Sequence, residues 1–353
     1  MAQPPIRLSI VGFGEIGQRH AELITADADC LLAGICDVDP RCRSYADKFG
    51  VPVYEDVKEL LETEKPQATI IATPNRQHAA IAELCAKQSI HILIEKPIAD
   101  SMEGANRIVK AAHDNHVQVL VGHHRRHNPL VQETRLALQS GELGKLTAVS
   151  MFWTLMKPIN YYQKQWRCTR PGGGPTLINL VHELDLLRYL CGEVRQVYAQ
   201  ASSAARQLAV EDTLSISLVL ESGAVASILA SDTTPSPWSY EATTRENPLY
   251  FPNDENCYYF FGTLGSFTFP QMQRWRYTSE KAFGWQHPLE MSQRVVVRAD
   301  PLKSQLEHFC RVVREEERPI VDGRDGARSL ALVLAVLESI RRQAPVLLTD
   351  SQP

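Results

Sequence analysis

Three glycines and one carboxylate near the start of the chain have the spacing needed to hold a pyrophosphate and a ribose. Gly12-Phe13-Gly14-Glu15-Ile16-Gly17 follows the apolar pair Ile10-Val11, and Asp37 closes the run Leu31-Leu32-Ala33-Gly34-Ile35-Cys36. In this pattern the first glycine permits a tight strand-to-helix turn, the second lets backbone approach phosphate, and the third lets helix and strand pack closely. The free N–H groups of the first helical turn then face the phosphates. A carboxylate at the Asp37 position accepts hydrogen bonds from both ribose hydroxyls of NAD and repels the 2′-phosphate of NADP. NAD is therefore the expected cofactor. NADP is the alternative, because Arg41 and Arg43 lie just beyond Asp37.

The elements that would position these residues alternate. Strand-like runs at Leu31–Cys36, Ala68–Ala72, His91–Ile94 and Val117–Val121 are separated by helical patterns over Glu15–Thr25, Cys42–Phe49, Asp56–Thr63, Gln77–Lys87 and Ser101–His116. Such alternation implies a parallel, doubly wound sheet, whose ligands sit beyond the carboxyl ends of its strands. Thr73-Pro74-Asn75, Glu95-Lys96-Pro97 and Gly122-His123-His124 should then face the cofactor crevice.

Beyond residue 123 the pattern changes. A helix over Pro129–Gln139 is followed by alternating strands at Leu146–Met156, Val194–Ala201, Thr213–Leu220, Ala224–Ser231, Tyr258–Gly262 and Ser266–Phe269, with hairpin turns at Glu221-Ser222-Gly223 and Thr263-Leu264-Gly265. Helices are expected over Leu177–Leu190, Leu302–Glu316 and Gly326–Arg342, and Thr233–Asn256 reads as a long surface excursion. The expected architecture is α/β: a doubly wound Rossmann domain over residues 1–122, then an α+β domain over 123–353 with a large, mainly antiparallel open sheet.

A chain of 353 residues with 44% apolar and 22% charged residues suits two globular domains. A net charge of −4 gives no general attraction for nucleic acid or an acidic membrane, and no stretch reaches spanning length, so a small molecule is the expected partner. The N-terminal Met1-Ala2-Gln3-Pro4-Pro5 carries no leader features, which points to the cytoplasm. Eight scattered cysteines include no C-x-x-C pair, so buried free thiols are expected and no metal site.

Taken together, Gly12-x-Gly14-x-x-Gly17, Ala72-Thr73-Pro74-Asn75-x-x-His78, Glu95-Lys96-Pro97, Trp166-Arg167, Gly172-Gly173-Gly174 and His182-Glu183-Leu184-Asp185 resemble the glucose-fructose oxidoreductase, inositol dehydrogenase and rhizopine-catabolism (Gfo/Idh/MocA) oxidoreductase family over essentially the whole chain. The resemblance implies NAD(P)-dependent oxidation of a CH–OH group on a sugar, cyclitol or related polyol, and a homodimer or homotetramer formed through the second-domain sheet. It makes Lys96 the active-site lysine and His182 the acid/base histidine. It also assigns Gly12, Phe13, Gly14, Glu15, Ile16, Gly17, Asp37, Thr73, Pro74, Asn75, His78, Glu95, Lys96, Trp166 and Arg167 to the cofactor. Residue chemistry agrees: oxidising a secondary alcohol needs positive charge near the oxygen and a base for its proton, and a histidine titrates in the right range. Two other classes stay open. One is a redox-neutral lyase or glycoside hydrolase using tightly held NAD, and the other is a non-catalytic NAD-binding regulator.

One departure matters. Many members carry an aspartate four residues before the histidine, where this chain has Ile178; the nearest polar substitute is Asn179, on the same helix face, which cannot act as a base. Asn179 is expected to hold a substrate hydroxyl, and Asp185 to orient His182 or to pair with Arg188. The basic run His123-His124-Arg125-Arg126-His127-Asn128 either binds an anionic substrate group or forms a solvated turn. With the carboxylate lost and Arg126, Arg167 and His124 nearby in this reading, an acidic polyol becomes a candidate substrate.

Overall fold

In a computed structural model of the chain, residues 4–170, 172–279 and 283–348 are described. Met1–Gln3, part of the N-terminal stretch Met1-Ala2-Gln3-Pro4-Pro5, lie outside them. The described residues divide into two compact units: one runs to His127 and includes Asp300–Leu330, the other comprises Asn128–Ala299 and residues 331–348.

In the first unit, β1 (Ile6–Val11), α1 (Glu15–Ala26), β2 (Cys30–Cys36), α2 (Cys42–Ala46), β3 (Val53–Tyr54), α3 (Val57–Glu64), β4 (Ala68–Ile71), α4 (His78–Lys87), β5 (His91–Ile94), α5 (Met102–Asp114) and β6 (Val119–Val121) follow one another. The six strands form one sheet in the order β3-β2-β1-β4-β5-β6, and every neighbouring pair is parallel. The strand order reverses direction between β1 and β4, the switch point where a parallel sheet opens its binding crevice. The strands are short and almost wholly apolar, as burial on both faces requires.

The division at residue 122 needs correction, because the chain returns. The helix Pro301–Val313 belongs to the first unit, where Leu306, Phe309 and Cys310 join the core formed by Leu8, Ile24, Ile35 and Leu93. Asp300 starts that helix by accepting from Leu302 N (2.9 Å) and Lys303 N (3.3 Å), and its other oxygen pairs with Arg19 of α1 at 2.6 Å. The pattern of this amphipathic helix was readable; the sheet that takes its apolar face was not.

The second unit holds α6 (Pro129–Gln139), β7 (Leu146–Thr154), α7 (Pro175–Ile178), α8 (Leu180–Cys191), β8 (Val194–Ser202), β9 (Thr213–Leu220), β10 (Val225–Ser231), α9 (Tyr240–Thr244), β11 (Tyr258–Gly262), β12 (Ser266–Phe269), β13 (Gln273–Arg276), β14 (Glu290–Gln293) and, near the end of the chain, β15 (Val346–Leu347). Their sheet has the order β14-β13-β12-β11-β7-β10-β9-β8-β15 and is antiparallel except where β7 runs parallel to β10. Alternation puts Leu214, Ile216, Leu218, Ala226 and Ile228 on the core face. The helix expected over Leu177–Leu190 is two pieces broken at Asn179. The Thr233–Asn256 stretch is not a surface excursion throughout: α9 lies in it, and Tyr240 is buried and stacks on Tyr258 and Phe269.

His127 and His308 form a buried pair in the first unit, Nε2 to Nδ1 at 2.8 Å. Burial, reinforced by the nearby His308, His124 and Arg126, pushes His127 down to about 3, so the folded state holds it neutral. An unfolded histidine titrates near 6.5, so as pH falls below that value the unfolded chain takes up a proton the native chain refuses. Thermal stability should therefore fall between pH 7.5 and 5, and His127→Phe should narrow the fall. Equal falls in melting temperature for both proteins would remove His127 as its source.

Candidate active site

In the first unit, the glycine turn and the residues predicted with it stand at the carboxyl ends of the parallel strands. Gly12 has φ +93°, and a Cβ there would stand 2.6 Å from the carbonyl carbon and oxygen of Ala72. Only glycine lets β1 turn into α1 so close to β4. At Gly14 a Cβ would meet nothing within 4 Å, and this residue starts α1 without a side-chain cap, so the turn presents open space and uncapped N–H groups. That is the cradle a pyrophosphate needs. The third glycine works by contact: a Cβ on Gly17 would fall 2.1 Å from Gly12 O.

Asp37 follows β2. It accepts from Phe13 N at 2.6 Å and from Asp39 N at 2.8 Å, which ties the carboxylate to the glycine turn. The arginines that could favour NADP are engaged elsewhere. Arg41 grips Asp39 through Nε and a terminal nitrogen at 2.6–3.0 Å, holding that carboxyl down to about 2, and Arg43 pairs with Glu55.

Thr73-Pro74-Asn75 leaves β4, and Glu95-Lys96-Pro97 leaves β5. His78 sits at the start of α4 with no exposure, its Nε2 2.9 Å from Thr73 O and its Nδ1 3.2 Å from Ile98 O. Each ring nitrogen thus stands close to a backbone carbonyl, and the one that carries the proton ties His78 to a neighbouring loop. Glu95 is also buried. Burial raises its pKa, but the hydrogen bond from His20 Nε2 (2.9 Å) and the charges of His20, His124 and Lys96 outweigh it and hold the carboxyl below its ordinary range.

The basic run is not a solvated turn. His124–His127 form a short 3₁₀ helix in which Arg125, Arg126 and His127 are buried. Arg126 is bonded to Asp325 at 2.5 Å and to Ile320 O at 3.4 Å, so its guanidinium serves an internal ion pair and is not open to a substrate anion. Among the described residues no group of three or more His, Cys, Asp or Glu could hold a metal.

The remaining residues predicted from the sequence lie in the second unit. His182, in the first turn of α8, is mostly buried and donates its backbone N–H to Asn179 O at 2.9 Å. Asp185, one turn on, is buried, while Arg188 takes both oxygens of Glu193 at 2.6 and 2.8 Å. Trp166 is half exposed, and Arg167 lies over the Tyr161 ring at 4.0 Å and donates to Tyr161 O.

One group of residues escaped the sequence reading. Lys157, just past β7, buries its ammonium and donates to Asn179 Oδ1 at 2.6 Å, with Asp232 Oδ2 at 3.6 Å. Asp232 also accepts from Tyr162 OH (2.5 Å) and Arg206 Nε (3.0 Å). Burial pulls Lys157 down to about 8 against the attraction of Asp232 and Glu241. No motif marks these residues; the one available signal is that Lys157 and Asp232 each lie just past the end of an apolar strand.

Residues 6–123 match an oxidoreductase family with an NAD-binding Rossmann fold, Gfo/Idh/MocA, and residues 135–348 match the C-terminal alpha/beta domain of that family. The chain is 24% identical over 369 residues to myo-inositol 2-dehydrogenase of Thermotoga maritima, spanning 98% of this chain and 99% of that protein. It is 26% identical over 237 residues to a 4-carboxy-2-hydroxymuconate-6-semialdehyde dehydrogenase of a Sphingobium species, spanning 66% and 74% respectively. Among solved structures, the WlbA dehydrogenase of Bordetella pertussis in complex with NADH and UDP-GlcNAcA superposes with a TM-score of 0.78 at 26% identity, over 98% of this chain and 99% of that one.

The glycine geometry separates fold from binding. Gly14→Ala should leave the melting temperature unchanged while weakening NAD at least about tenfold, or 1.4 kcal/mol. Gly12→Ala should lower both. Fluorescence titration with NAD, alongside a thermal melt, checks this; undiminished affinity in Gly14→Ala would move the pyrophosphate elsewhere.

Proposed function

The chain belongs to the Gfo/Idh/MocA oxidoreductase family, and from that premise we propose that it transfers a hydride between NAD and a secondary alcohol of a sugar, cyclitol or related polyol, with Lys96 and His182 handling the oxygen and its proton. The observation that carries this reading is the shared sheet edge. Lys96 leaves β5 at the same carboxyl end at which the glycine turn leaves β1 and Asp37 leaves β2.

When bound, NAD supplies the hydride acceptor. The Lys96 ammonium then stabilises negative charge growing on the substrate oxygen, and the His182 imidazole takes the hydroxyl proton. Asp37 selects NAD over NADP by holding the ribose hydroxyls, and Arg41 and Arg43, engaged by Asp39 and Glu55, do not offset it. Asn179 supplies a substrate contact beside His182.

We further propose self-association as a homodimer or homotetramer through the outer face of the second sheet. That face exposes Val225, Leu229 and Phe261 among serines, an apolar surface suited to burial against a copy of itself. Eight free thiols fit a reducing cytoplasm. Among the described residues no helix is long and apolar enough to cross a membrane.

Two outcomes are expected. Lys96→Ala and His182→Ala should each lower kcat by about 10²–10⁴-fold, the usual loss for an acid/base group, with NAD affinity little changed. Steady-state turnover and NAD titration measure both effects, and a His182→Ala enzyme that kept most of its kcat would remove the histidine as base. Asp37→Ala should narrow the gap between NAD and NADP dissociation constants. Equal binding of both by the unaltered protein would refute the ribose assignment.

A further inference from the structure

Asn179 opens α8 as its N-cap residue, yet its side chain makes no cap hydrogen bond. An asparagine at this position ordinarily spends its side-chain oxygen on the free N–H groups of the first turn. Here Oδ1 is taken by the ammonium of Lys157 at 2.6 Å. An ammonium has three donors and no acceptor, so the amide must turn its oxygen toward it; the flipped amide would set NH₂ against NH₃⁺. Oδ1 keeps a second lone pair beside the ammonium; the end of the amide turned away from Lys157 is the Nδ2 group, which only donates.

Lys157 is held where it is. Its backbone N–H donates to Asp232 O at 3.0 Å, the ammonium lies 4.3 Å from the centre of the Tyr161 ring, and its side chain is 6% exposed. Asp232 in turn is fixed by Tyr162 and Arg206. A buried ammonium is tolerated only with such fixed partners, so the orientation it imposes on Asn179 is fixed too.

We propose that Lys157 sets the substrate class by turning Asn179 into a hydrogen-bond donor beside His182, so that this subsite receives an acceptor, a carboxylate oxygen of an acidic polyol, where a carboxylate side chain would receive a hydroxyl. The inference rests on the reading above that substrate lies against Asn179 and His182. It moves the anion contact from Arg126, which is bound to Asp325, to the amide that Lys157 orients. Lys157 is on this account a positioning residue. A carboxylate on Nδ2 forms a charge-assisted hydrogen bond, stronger than the contact a neutral hydroxyl makes with the same donor.

The test uses the full chain and two matched pairs, D-glucuronate with D-glucose and D-galacturonate with D-galactose. Binding is measured to the NADH-loaded protein and turnover with NAD. The unaltered protein should prefer the acid of at least one pair by about tenfold or more, which corresponds to a gain of 1.4 kcal/mol. Lys157→Met, which keeps the bulk and removes the donor, should reduce that preference to within about threefold, chiefly through KM or Kd. Asn179→Asp, which stays paired with Lys157 and can only accept, should favour the neutral sugar.

Preferential binding of acid that is lost in Lys157→Met, without turnover of any probe, upholds the inference and overturns the dehydrogenase reading. Oxidation of the neutral sugars in preference to the acids, or an acid preference that survives both substitutions, overturns the inference and leaves the dehydrogenase reading standing. Neither binding nor turnover of any of the four overturns both.

Discussion

A carboxylate taken out of water keeps its charge only where donors meet it, and the first unit is arranged around one such group. Glu95 is buried at the end of β5, and His20, fully buried on α1, donates to it at 2.9 Å. The bond joins the helix that follows the glycine turn to the loop that carries Lys96. His78 adds a second tie, from its protonated ring nitrogen to Thr73 O or Ile98 O. The lysine therefore takes its place relative to the glycine turn from buried hydrogen bonds, and its loop is not free to drift with solvent. Preorganisation of this kind is what lets one ammonium act strongly on a developing oxyanion.

The second unit solves the same problem with the opposite sign. Its buried charge is the Lys157 ammonium, and the acceptors that meet it are Asp232 and the Asn179 amide. Asp232 is shared with Tyr162 and Arg206, so no single partner neutralises it and the whole group must hold together. In each unit a buried charge is tied to the segment that carries one of the side chains proposed to act on substrate. For Lys96 that charge is Glu95, and for the start of the helix that carries His182 it is Lys157, through Asn179.

How much of this could be read in the sequence follows from the range of each constraint. The glycine turn and Asp37 were legible because strand, turn, helix and acidic strand end lie within one short stretch, and each glycine answers to a neighbour the pattern already implies. The strand ends bearing Thr73, Glu95 and Lys96 were legible from alternation alone. The basic run at 123–128 was misread as open or solvated because its partners are remote: Asp325 is 199 positions from Arg126, and His308 is 181 from His127. The helix Pro301–Val313 was placed in the wrong unit for the same reason, since an amphipathic pattern states that a face is buried and not against what. Lys157 reads locally as the solvated end of a strand, and only the fold brings it to Asn179.

The apolar residue at 178 and the lysine at 157 make physical sense as a pair. Ile178 and Lys157 line the same small cavity, together with Tyr161, Tyr162 and Arg167. An aspartate at 178 would bring a second full negative charge, besides Asp232, into the cavity that holds the ammonium. With isoleucine there, the nearest acceptor of high quality is the amide oxygen, and the bond at 2.6 Å follows. With no carboxylate at 178, the close partner of the buried lysine is the Asn179 amide oxygen, and the orientation proposed for Asn179 rests on that contact.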